Sequence, residues 1–115
     1  MTRQQRRAAQ RRAAEYARHI LDILASQPDA IRAVPLSHYP DAAAFHAILG
    51  DAGWSYDEWA ECNHATMELL REAGCIILFA TMNPPEYFAW LAANDLTNDS
   101  PTRAQYASLK AMPPR

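Results

Sequence analysis

The sequence predicts a mainly α fold of about five helices with one short buried extended segment at 75–82, which admits pairing into a minimal sheet. An all-α bundle is the alternative. Apolar residues recur at helical spacing along most of the chain. Capping residues and prolines stand where those stretches begin. One unbroken apolar run, Cys75 to Met82, carries β-branched and aromatic side chains.

The first helix is expected over Thr2 to Ser26, a stretch without Gly or Pro and rich in Ala, Arg and Gln. On a helical wheel Ala9, Ala13, Tyr16, Ile20, Ile23 and Leu24 share one side, and Arg3, Arg7, Arg11 and Arg18 the other. Its first turns offer only alanine for burial, so residues 1–14 are read as a basic helical arm that projects from a single domain spanning 1–115. Pro28 ends the helix. Pro28, Pro35 and Pro40 mark a surface connection with a short extended piece at Ile31–Leu36.

Asp41 is read as the N-cap of a short helix to Leu49, with Phe45, Ile48 and Leu49 inward and Gly50 and Gly53 after it. Ser55 followed by Glu58 is a capping box that opens a helix over 56–73. Tyr56, Trp59, Cys62, Thr66, Leu69, Leu70 and Ala73 share its apolar face. Asp57, Glu61, Glu68 and Glu72 share its acidic face, and Gly74 follows as the stop. The run 75–82 is then a buried strand. It pairs with Ile31–Leu36 or with the same strand of a second subunit, because one strand cannot satisfy its own ladder. The competing reading makes it a kinked tail of helix 56–73. Asn83-Pro84-Pro85-Glu86 starts a helix to Leu96 whose aromatics spread around its circumference. Ser100-Pro101 opens a last helix to Ala111.

Composition sets the outer bounds. Half of the 115 residues are apolar and 21% are charged, values of a folded domain rather than a disordered or collagen-like chain. Cys62 and Cys75 read as reduced, packed thiols. No apolar run reaches a membrane span, and the apolar run after the basic start is broken by Asp22, so a cytoplasmic protein without a membrane partner is expected. Arginine outnumbers lysine ten to one, a bias that fits a GC-rich bacterial, phage or plasmid genome.

The net charge of −2 conceals a division. Residues 1–18 hold six arginines and one acid, a balance of +5, and the remainder carries −7. Arg3, Arg6, Arg7, Arg11, Arg12 and Arg18 are the candidate nucleic-acid contacts, acting through phosphates with counterion release and through guanidinium groups in an RNA groove or on unpaired bases. In composition this stretch resembles the RNA-binding arms of some phage antitermination proteins. The alternatives are a solvated face and a face that meets the chain's own acids. Asp57, Glu61, Glu68 and Glu72, with the aromatics Trp54, Tyr87 and Trp90, are the candidate protein-contact residues.

Other chemistries find little footing. Glu61 and His64 form one Glu-x-x-His spacing where a di-iron bundle needs two such motifs and two further glutamates. Cys62 and His64 lie about 200° apart on the wheel, too far to chelate one ion. With three glycines the chain has no phosphate loop, and its Ser and His residues sit in no nucleophile elbow. The carboxylates fall on an exposed face, where burial cannot raise a pKa for acid catalysis. No metal, cofactor or catalytic residue is assigned. The leading expectation is a small non-enzymatic regulatory or inhibitory protein that acts by binding a macromolecule, with a protein as the expected partner. By size and composition it fits the accessory proteins of bacteria, phages and plasmids, nuclease and CRISPR inhibitors among them, and the reading admits a homodimer. An RNA- or DNA-binding protein using residues 3–18 is the alternative, and a small metal enzyme on Glu61 and His64 a distant third.

Overall fold

The computed structural model describes residues 1–28, 32–50 and 53–112. The elements run α1 (Arg3–Ala25), β1 (Ala33–His38), α2 (Ala42–Leu49), α3 (Tyr56–Glu72), β2 (Ile76–Thr81), α4 (Pro84–Asn94) and α5 (Ser100–Lys110). The fold is mainly α with a minimal sheet, as the periodicity indicates.

The strand at 76–81 finds its ladder partner within the chain. Ile76 N donates to Arg32 O and Met82 N to His38 O, both at 2.8 Å. The offset is the same at both ends, so β1 and β2 run parallel in a two-stranded sheet. Pairing with a second subunit is therefore not what satisfies β2, and neither is the kinked-helix alternative. Phe79 also exchanges both backbone bonds with Met112, at 2.8 and 3.0 Å, as an isolated antiparallel bridge. The extended piece expected at 31–36 lies at 33–38, and Ile31 falls outside the described residues. Pro35 is tolerated there because β1 is an edge strand. The run 75–82 is less uniformly buried than its composition suggests. Cys75, Ile77, Ala80 and Met82 are buried, whereas Ile76 is 56% exposed.

Local chemistry sets the helix ends. Thr2 and Gln5 form a capping box for α1, and Ser55 and Glu58 form one for α3. Asp41, Asn83 and Asp99 each accept a backbone N–H three residues on. Helix α3 stops in a Schellman motif: Gly74 N donates to Arg71 O and Cys75 N to Leu70 O, with Gly74 at φ +87°. Helix α4 ends two residues earlier than expected, at an Asp95 in the left-handed region.

The chain divides into two compact units. The first comprises Met1–Val34 and Gly53–Ile77, and the second Pro35–Ala52 and Leu78–Arg115. In the first, α1 packs along α3. Ala9, Ala13 and Cys62 form a buried cluster, with Trp54 and Ala65 against it, and Ala17 is buried too. From Ala9 onward α1 is therefore seated on α3. Alanines spaced at i and i+4 present a flat, small-residue line, which suits close approach of two helices. Tyr16 and Ile23, expected inward, flank the contact and stay 51% and 47% exposed. In α3, Cys62, Thr66 and Leu70 are buried, Thr66 Oγ1 donating to Cys62 O at 2.8 Å, while Leu69 and Ala73 are exposed.

In the second unit Phe45 and Ile48 of α2 are buried, as are Tyr87 and Leu91 of α4 and Tyr106 of α5. Tyr106 packs edge-on to Tyr87 and tilted against Trp90, with ring centroids 5.1 Å apart in each pair.

Candidate functional site

The six candidate arginines of α1 are all exposed, and they separate into two groups. Two are engaged by the α3 side of the first unit. Arg6 Nε lies 3.8 Å from Glu61 Oε1, and the Arg12 guanidinium sits over the Trp54 ring at 4.5 Å from its centroid. The second contact is a cation–π pair that covers one ring face. Arg3, Arg7, Arg11 and Arg18 have no ion-pair partner among the described residues. At about 100° per residue these four share a stripe about 80° wide, and at about 1.5 Å per residue it runs about 22 Å along the helix.

The acidic face of α3 accounts for little of that charge. Glu61 accepts from Gln10 Nε2 at 3.3 Å as well as meeting Arg6. Glu68 pairs with His64, Oε1 to Nε2 at 3.0 Å, within its own helix. Asp57 and Glu72 are exposed and have no ion-pair partner among the described residues. Of four candidate carboxylates, one meets an arginine of α1. The two charged surfaces do not neutralise each other within the chain.

The contact line between α1 and α3 is otherwise apolar. Burial pushes the Cys62 thiol up, opposed by the Thr66 hydrogen bond and the nearby Arg12 charge. The Tyr16 hydroxyl is raised as well, first by burial and then by Cys62. The residue as a whole is 51% exposed.

The aromatic candidates fare differently from the arginines. Trp54 is half-buried against Ala9, Ala13 and Cys62 and carries Arg12, so only part of it faces outward. Tyr87, expected as a contact residue, is fully buried. Its hydroxyl donates to Asn98 Oδ1 at 2.8 Å, Arg103 Nη1 donates to the same oxygen at 3.0 Å, and Asn98 Nδ2 donates to Ile48 O at 2.7 Å. This hub ties the end of α2 to α4 and α5. Trp90 is half-buried, and Phe88, absent from the expected contact residues, is 40% exposed beside it in sequence. Gln10 and Asn98 escaped the sequence reading because each acts through a partner about fifty residues away. No local pattern marks such a bond.

Among the described residues, no group of three or more His, Cys, Asp and Glu side chains is placed to hold a metal ion. His64 reaches Glu68 rather than the Glu61 of its Glu-x-x-His spacing. No helix of the described residues is long and apolar enough to cross a membrane. The chain shows no significant match to a family model, a curated protein or a solved structure.

Proposed function

We propose that this protein is a small, non-enzymatic regulatory protein that acts by binding a macromolecule, and that the arginine stripe of α1 is the surface it offers to nucleic acid. The observation that supports this reading is the set of four exposed arginines, Arg3, Arg7, Arg11 and Arg18, on one face of a seated helix and without ion-pair partners among the described residues. A row of guanidinium groups attracts phosphate through charge and bidentate hydrogen bonding. Seating on α3 holds the row in one orientation, so less freedom is lost on binding than a free arm would lose.

The test is fluorescence anisotropy with labelled RNA and DNA at low salt. Converting Arg3, Arg7, Arg11 and Arg18 to Gln is expected to weaken binding at least tenfold, with Arg6→Gln and Arg12→Gln weaker in effect because those two side chains are engaged on the protein. Unchanged affinity in the fourfold variant rejects the reading. Substitution is the right tool here, since truncating the helix start removes Ala9 from the packed seam.

The exposed carboxylates favour a second reading, capture of a basic protein partner by Asp57, Glu68 and Glu72. Under it, neutralising those acids weakens the complex and the arginine substitutions do not. Its test is a pull-down with a defined basic protein or peptide.

A further inference from the structure

The arginine stripe has a neighbour of opposite charge, and their adjacency restricts what the stripe can bind. On the α1 wheel Gln10 lies about 20° from the stripe's edge at Arg3. Gln10 is the residue that donates to Glu61, at 3.3 Å. On α3, Glu61 belongs with Asp57, Glu68 and Glu72 to a stripe about 60° wide. The Gln10–Glu61 bond therefore marks a seam with arginines on one bank and carboxylates on the other. Packed helix axes lie about 8–10 Å apart, so the two banks are about one helix diameter apart.

A duplex cannot respect that boundary. A helix in the major groove fills a channel about 12 Å wide and has phosphates on both sides. With α3 packed along α1, the groove wall on the seam side meets Asp57, Glu61 and Glu68. A duplex laid across the stripe meets the same acids, because it is a stiff rod with one charge per about 1.7 Å of axis. A single strand is narrower and flexible. It can follow Arg3, Arg7, Arg11 and Arg18 along about 22 Å of helix and stay clear of the carboxylate bank.

We propose, building on the nucleic-acid reading above, that α1 selects single-stranded over double-stranded nucleic acid, and that the carboxylates of α3 enforce the choice by repelling the second strand. The acids are then a specificity element of the arginine surface, and no second ligand is needed to explain them. Contacts are to phosphate and base faces, so the choice is one of strandedness with little sequence preference.

The experiment compares single strands and duplexes of about 20 nucleotides, in RNA and in DNA, by anisotropy at about 50 mM salt. The wild type is set beside D57N/E68Q/E72Q, which leaves Glu61 and its bond to Gln10 intact; all three changes are at exposed positions, and a thermal melt checks the fold. The wild type is expected to bind single strands at least tenfold more tightly than duplexes. The variant gains duplex affinity more than single-strand affinity, so that the ratio falls toward one. The RNA and DNA arms tell which sugar is taken, and the preference for single strands is expected in whichever binds. Equal or tighter duplex binding by the wild type overturns the proposal, as does an equal gain for both forms in the variant. Failure of the wild type to bind any of the four probes overturns the nucleic-acid reading itself and this proposal with it.

Discussion

Arg6 and Glu61 face each other across the α1–α3 seam, Nε to Oε1 at 3.8 Å, with side chains 60% and 29% exposed. This is the one ion pair between α1 and the acidic face of α3 among the described residues. It is long and mostly solvated, so it contributes little to stability. Its structural value is as a marker of where the basic and acidic stripes adjoin. Glu61→Ala, which also removes the acceptor for Gln10, is expected to lower stability by at most about 1 kcal/mol in denaturant unfolding. A loss well above that would mean the seam depends on its polar rim.

The seam's strength is expected to lie in its alanines. Ala13 is fully buried, while Ala14, its neighbour on the same helix, is exposed. Ala13→Leu forces the helices apart and should cost about 1–3 kcal/mol. Ala14→Leu should be nearly neutral. Equal effects of the two substitutions in thermal melts would show that α1 is not held on this line.

The hub at Asn98 gives an ordered pair of effects in the second unit. Tyr87→Phe removes one donor and leaves Asn98 Oδ1 with Arg103, a loss of about 1 kcal/mol. Asn98→Ala strands the buried Tyr87 hydroxyl and leaves Ile48 O without its side-chain donor, a cost of about 1–3 kcal/mol. Urea unfolding of the two variants should therefore rank Asn98→Ala as the more damaging. The reverse order would remove Asn98 from the centre of the network.

Alkali should destabilise the fold. Burial holds the Tyr39 hydroxyl up at about 12, against 10.0 for a free tyrosine. Burial raises Tyr16, Tyr87 and Tyr106 in the same direction. Between about pH 10 and 12 the unfolded chain has released protons that the folded chain still holds. The stability contributed by these neutral hydroxyls is complete below about pH 10 and is lost as pH rises toward 12. Melting temperatures followed across that window should fall, and Tyr39→Phe should flatten the decline. A melting temperature constant to about pH 12 would contradict the burial of Tyr39, Tyr87 and Tyr106.

The helix boundaries and their caps were legible because they are local. Asp41, Ser55 with Glu58, Asn83 and Gly74 satisfy backbone groups within a few residues, so their chemistry is written in adjacent letters. The strand at 76–81 was legible from its run of β-branched side chains, and its partner from the need to complete a ladder. The seating of α1 was harder to see. Alanines carry little hydrophobic signal, so Tyr16 and Ile23 dominate the wheel although Ala9 and Ala13 make the contact and Ala17 is buried with them. The arginines of the candidate surface were plain in the sequence, but which of them are engaged among the described residues depends on Glu61 of α3 and on Trp54 just before it. Tyr87 and Trp90 look equally suited to a surface. Both rings pack against Tyr106 of a different helix, and Tyr87 also donates to Asn98, contacts that the local sequence of α4 does not mark.

The salt dependence of single-strand binding tests the central claim most directly. If Arg3, Arg7, Arg11 and Arg18 each neutralise one phosphate, the logarithm of the association constant should fall with the logarithm of salt at a slope of about −3. The variant with all four changed to Gln should bind weakly and with a slope near zero. A variant that keeps the wild-type affinity and slope would contradict the assignment of the α1 stripe as the nucleic-acid surface.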